Sequence, residues 1–146
     1  MPLAPSGLSS ALEGIAANPP ASVAECAQAW ADAVGNYASG VVPPSLTVAA
    51  AKATLASALA SAFAAPAAAP LMETAFTAFA ATVSGGMAPA FVGTPPPAPV
   101  GFASQFAGPK PATHAAAGAA LSSLIDTWMK TGTATPSGGG APSPWT

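Results

Sequence analysis

The sequence predicts an all-α fold: a small bundle of about five helices with an extended proline-rich arm and an extended C-terminal arm. Three observations lead there. Apolar side chains recur three or four residues apart in five separate segments. Proline or glycine bounds those segments. Alanine, the strongest helix former, fills most of the positions between the apolar ones. On this reading residues 1–132 form a helical domain with an irregular insertion over 86–111, and residues 133–146 form the C-terminal arm.

The first helix is expected over Ser6–Ala17, with Ser6 as its cap and Leu8, Leu12 and Ile15 on one face. Asn18-Pro19-Pro20 ends it, because proline disfavours a helical residue before it. The second is expected over Ser22–Ala38. Ser22 and Glu25 have capping-box spacing, and Val23, Ala27, Trp30, Val34 and Tyr37 mark its face. Gly40 and Pro43-Pro44 stop it. The third, over Ser45–Ala65, carries Leu55, Leu59 and Phe63 on a coat of alanine thin enough for close approach by neighbours. The fourth, over Leu71–Val83, shows Met72, Phe76, Phe79 and Val83, with Gly85-Gly86 as its C-cap. The fifth, over Thr113–Thr131, is capped by Thr113, faces inward through Ala117, Leu121, Leu124, Ile125 and Trp128, and pairs Asp126 with Lys130. Thr47–Phe63 and Thr113–Met129 share a pattern at a constant offset, which predicts two related helices packed about a local pseudo-twofold.

The stretch 86–111 contains Pro95-Pro96-Pro97 but also Phe91, Val100, Phe102 and Phe106. A pure linker would be polar, so this arm is expected to lie docked in a groove. The chain then closes on TATPSGGGAPSPWT. Trp145 has nothing local to pack against in such a tail, and aromatic residues are enriched as interface anchors. Phe91, Phe102, Phe106 and Trp145 are therefore the expected interface residues, with Trp145 entering a pocket on a neighbouring subunit.

Charged residues are 5% of the chain, against about 25% in a typical soluble protein. There is no arginine, and the net charge is −2. A surface this neutral points to one covered by other protein. Three scattered lysines cannot supply a phosphate-binding patch, so no nucleic-acid partner is expected. Cys26 is alone and cannot form an internal disulfide. His114 is the single histidine, and Ser122, Ser123 and Asp126 on the same helix do not converge on it. Cys26 and His114 fall short of a metal set. Gly138-Gly139-Gly140 lacks the Lys and helix of a phosphate loop. Glu13, Glu25 and Glu73 each have a local role, on a solvated face, in a capping box and in a first helical turn. The expectation is a non-enzyme with no catalytic, cofactor or metal residues and no small-molecule substrate.

The uncharged run over 53–72 is long enough to span a bilayer, but it contains Pro66 and Pro70 and is mostly alanine, which drives insertion weakly. The N-terminus, MPLAPSGLSS, lacks the basic region and apolar core of a secretory signal. ASGVVPPSLTVAAAKATL (residues 38–55) and IDTWMKTGTATPSGGGAPSPWT (residues 125–146) resemble small Ala/Pro-rich structural proteins of phage tails and phage-tail-like contractile particles. That resemblance implies a structural subunit of a tail, baseplate or neck, present in several symmetric copies. Its partners would be other proteins of the particle and copies of itself, in a virion assembled in the host cytoplasm. Two alternatives stand beside it. One is a small membrane-associated helical protein of holin type. The other is a secreted Ala-rich helical hairpin built from the second and third helices, although the W-x-G turn expected of that class is absent, since Ala31-Asp32 follows Trp30.

Overall fold

Proline at the first helical position needs no N–H partner and has its φ already set for a helix. Helix α1 accordingly begins at Pro5, one residue earlier than expected, and runs Pro5–Ala17 with no side-chain cap; Ser6 lies inside it. The structure is a computed structural model that describes residues 2–146. Helix α2 (Val23–Ala38) is capped by Ser22, the Glu25 N–H donating to Ser22 Oγ at 3.1 Å, but the reciprocal half of the expected capping box, from the Ser22 N–H to the Glu25 carboxylate, is not formed. Helix α3 covers Val48–Ala64 and α4 covers Ala68–Gly85. Pro70 is tolerated in the first turn of α4, where backbone N–H groups have no helical partner.

The long uncharged run is thus broken at Ala65–Ala67 into two helices that fold back on each other. Among the described residues no helix is long and apolar enough to cross a membrane.

The helices pack as neighbouring pairs, α6–α1, α1–α2, α2–α3 and α3–α4, where α6 is His114–Met129, capped by Thr113 Oγ1 accepting from the Ala116 N–H at 3.1 Å. The Phe76 and Trp128 rings, 6.1 Å apart and edge to face, join α4 to α6 across the core. Small residues let the backbones approach. A methyl added to Gly118 of α6 would fall 2.7 Å from the Ser9 carbonyl oxygen of α1, and one on Gly35 would meet the Lys52 stem at 2.6 Å. Ala27, Ala31, Ala51 and Ala62 are fully buried in the same role. The two helices related by the sequence repeat have different neighbours, α3 between α2 and α4, α6 against α1, and the expected pseudo-twofold pairing of α3 with α6 is not formed. Their first threonines differ as well. Thr113 caps its own helix, whereas Thr47 and Ser45 send their hydroxyls to the Thr82 and Val83 carbonyls, both at 2.6 Å, and so satisfy the C-terminal end of α4. That contact explains Gly86 better than a left-handed cap does: its φ is −76°, and a methyl there would stand 2.2 Å from Thr47 Oγ1.

The fold is mostly helical but not purely so. The stretch expected to be an irregular arm holds strand β1 (Phe91–Thr94) and a short helix α5 (Phe102–Ala107). The C-terminal residues form β2 (Thr133–Pro136) and β3 (Ser143–Pro144). These make one antiparallel sheet in the order β1-β2-β3, with Phe91 opposite Pro136, Thr94 opposite Thr133, and Ala134 opposite Ser143. The triple glycine is the hairpin turn between β2 and β3. Gly139 (φ +93°) and Gly140 (φ +148°) adopt conformations that side chains disfavour. Gly93 of β1 lies so close to the end of α4 that a methyl would sit 2.4 Å from the Ser84 carbonyl oxygen.

The expectation that Trp145 lacks a local partner is corrected here. It is fully buried within its own chain, among the residues of the core cluster. Its N–H donates to the Gly132 carbonyl at 2.9 Å, and its ring lies over Gly132, where a methyl would fall 2.7 Å from it. Thr146 exchanges two backbone hydrogen bonds with Val42, at 2.8 and 3.3 Å. Residues 133–146 therefore belong to the packed body rather than to an arm beyond it. Among the described residues the indole Nε1 has no hydrogen-bond partner, an omission costing about 1–3 kcal/mol. Burial of an indole removes about 150–250 Å² from water, worth about 4–6 kcal/mol, so burial wins.

Replacing Trp145 with alanine should destabilise the isolated chain by about 3–5 kcal/mol in urea unfolding. A loss below about 1 kcal/mol would show that the C-terminal hairpin is not coupled to the core.

Candidate interaction surface

The four expected interface residues divide by burial. Phe102, at the start of α5, is fully buried against Phe76, their ring centroids 4.9 Å apart. Phe91 is half-buried on β1 and packs on the core. Trp145 is internal. Phe106 alone keeps a large exposed area, half of its surface, and stacks on Phe102 at 5.8 Å. The spacing of the two phenylalanines, four apart, is helical, and α5 is the element behind it.

A single carboxylate holds α5 in place. Glu73, in the second turn of α4, accepts the N–H groups of Val100 (2.7 Å), Gly101 (2.7 Å) and Phe102 (2.5 Å). Three successive N–H groups turn towards one point because Gly101 is left-handed (φ +100°), an arrangement that forms an anion-binding concavity. The chain fills that concavity itself. Glu73 was expected only to favour a helix start; its larger role is to pin the proline-rich stretch to α4. Trp128 adds a second pin, its indole N–H donating to the Ala98 carbonyl at 2.7 Å. Val100, whose N–H is one of the three, is buried, as is Pro96.

So held, residues 98–111 form one wall of a groove whose other wall is α6. The part beside Phe106 has a volume of about 280 Å³ and is lined by Gln105, Phe106, Pro109, Lys110, Ala117 and Leu121. A wider, shallower part of about 510 Å³ continues past Gln105 along Ala120, Leu124 and Thr127. The α6 residues involved recur three and four apart, so they form one face of the helix. The groove is apolar with a few polar groups at its rim, the ordinary make-up of a binding cleft.

The polar groups weighed for catalysis are engaged elsewhere or solvated. Ser122 Oγ donates to the Pro5 carbonyl at 2.7 Å and ties α6 to α1. Asp126 accepts from Lys130 (2.8 Å) and also from the Tyr37 hydroxyl (2.8 Å), a link between α6 and α2 that local spacing in the sequence does not contain. Burial, then the hydrogen bond and charge of Asp126, raise the Tyr37 phenol above its ordinary value. His114 is exposed at the first position of α6. Cys26 is partly exposed, and burial raises its thiol above the usual value. Asp32 bonds Lys52 at 3.0 Å on the surface, and that hydrogen bond holds its carboxyl below the usual range.

Comparison with protein-family models, with curated proteins and with solved structures finds no match to this chain.

Glu73→Gln replaces an acceptor for three N–H groups by one that presents an amide, and should cost about 2 kcal/mol of stability. Amide hydrogen exchange over 98–107 should quicken in that variant; unchanged exchange would mean that the carboxylate is not what holds α5.

Tyr37 predicts an alkaline limit. An unfolded phenol loses its proton near pH ~10, while the folded one retains it. The contribution is complete below that pH and declines above it, by up to about 1.4 kcal/mol per pH unit. Tyr37→Phe should flatten the stability profile above pH ~10, as read by denaturant unfolding; an equally steep profile in the variant would assign the effect to another group.

Proposed function

We propose that the chain is a structural subunit of a multi-protein particle, of the kind its resemblance to phage-tail and phage-tail-like proteins implies, binding its neighbours through helical faces and the groove beside Phe106. One observation carries the reading. The surface is almost without charge, yet it exposes Leu46 (85%), Val92 (61%) and Phe106 (50%). An isolated domain keeps itself apart from its neighbours by mixed surface charge, and a subunit covered on several sides has no need of it. Clustered exposed apolar area marks contact sites more often than single apolar residues do, and Phe106 lies in such a cluster with Leu121 and Pro109. The fixed framework around it, with α5 clamped by Glu73 and the C-terminus locked by Trp145, suits a rigid building block.

The reading assigns the chain to a tail, baseplate or neck and to the virion, with other particle proteins and its own copies as partners. In cells that express the chain from its native locus, it should sediment with large particles in a density gradient at a constant ratio to other particle proteins. Recovery only as a free chain, or only with membranes, would refute the assignment.

A further inference from the structure

Residues 95–112 form a strap between β1 and α6, and a few of them hold it down. Among the described residues, every hydrogen bond from the strap to the rest of the chain lies within Ala98–Phe102. Glu73 accepts three N–H groups, the Trp128 indole N–H donates to the Ala98 carbonyl, and Phe102 is buried against Phe76. The flanks are solvated: Pro97–Pro99 are exposed, and so is every residue from Phe106 to Ala116. A seat for a phenylalanine, a carboxylate for a row of N–H groups and an indole N–H for a carbonyl are together the parts of a peptide-recognition site, an aromatic anchor with backbone hydrogen bonds. The segment that fits it is visible in the structure. It is the chain's own Ala98-Pro99-Val100-Gly101-Phe102, which the left-handed Gly101 shapes to aim its N–H groups at one point.

We infer that the slot formed by Glu73, Phe76 and Trp128 is a peptide-binding site, filled by its own strap in the single chain, and that between packed copies it takes residues 98–102 of a second copy, the two straps changing places. The slot contacts are the same in both arrangements, so their energies cancel and the tether decides. A tethered segment competes for its own site at an effective concentration of about millimolar, which keeps the strap at home in a dilute chain. A neighbour packed alongside brings its strap to the same slot at a comparable concentration. Fully extended, the strap spans about 60 Å, enough to leave β1, enter an adjacent slot and return to α6. Phe106 stacks on Phe102 and travels with it, so one wall of the groove then comes from the neighbour. The inference rests on the assembly reading for the presence of packed copies, but its test is separate.

A capped peptide of residues 95–107, titrated into the full chain carrying Phe102→Ala, reads the site. That chain's own strap lacks its anchor and competes weakly, so the peptide should bind saturably. Tryptophan emission reports the binding, since Trp128 lines the slot and the peptide has no tryptophan. Phe102→Ala or Gly101→Ala in the peptide, or Glu73→Gln in the chain, should each weaken binding about tenfold or more. No binding by the parent peptide, or equal binding by the altered ones, would overturn the inference. Should the Phe102→Ala chain fail to fold, the wild-type chain gives the answer by hydrogen exchange. Peptide in excess of about millimolar should quicken exchange of the Val100, Gly101 and Phe102 amides and leave those of α1 and α2 as they were; unchanged exchange at all of them would overturn the site. The source is read by mixing two full chains at high concentration, Phe102→Ala with its slot intact and Glu73→Gln with its strap intact. They should form a one-to-one complex that neither forms alone, and peptide binding without that complex would overturn the second copy as the source. In that case co-sedimentation with particles would still uphold the assembly reading. Complex formation together with absence from particles would uphold the exchange and overturn that reading.

Discussion

The contact on which most of the chain depends is the indole of Trp145 laid against Gly132. Only a residue without a side chain leaves room there. Once the ring is seated, the backbone bond from Trp145 to Gly132 fixes β3 beside β2, and β2 carries β1 with it. Thr146 is brought to Val42, which ties the sheet to the turn between α2 and α3. One aromatic side chain therefore connects the last residues, the end of α6, the proline-rich stretch and the α2–α3 connection. A helix bundle built largely on alanine buries little area per residue, so a single buried indole counts for much of its stability.

Glu73 plays the complementary part on the other side of the core. A carboxylate between an apolar helix and a loop would be costly to bury unpaired. Here it meets three N–H groups that would otherwise be orphaned at the start of α5, and both problems are solved together. Its anchoring of α5 places Phe102 inward on Phe76 and leaves Phe106 facing out over the groove. The exposed apolar surface is thus a consequence of an internal polar contact.

The long helices were legible because their signals are local. Leu8/Leu12, Leu55/Leu59 and Phe76/Phe79/Val83 lie three or four apart, and all are buried. Ser22 and Thr113 cap where their positions indicated. The strands were not legible. FVGT is four residues long with a glycine inside it, TATP ends in proline, and β3 is two residues, one of them proline; none shows alternation over a useful length. Their pairing depends on Trp145 and on the α4 end that fits Gly93, both distant in sequence. Ser45 and Thr47 read locally as a helix start, but their hydroxyls serve the far end of α4. At the site, Phe106 was identified by its apolar character within a loop, while the groove needed the Glu73 clamp, which no spacing in the sequence reveals.

Residues 133–146 are packed on their own chain and are not an arm held out for exchange. Assembly would then rest on rigid faces such as the groove beside Phe106. The most direct test of this account is amide hydrogen exchange over residues 133–146 in the isolated, monomeric chain. The account predicts that the N–H groups of Trp145 and Thr146, bonded to Gly132 and Val42, exchange as slowly as those in the middle of α6. Exchange at the rate of an unstructured peptide would contradict it, and would show that the tail is ordered only by contacts outside the chain.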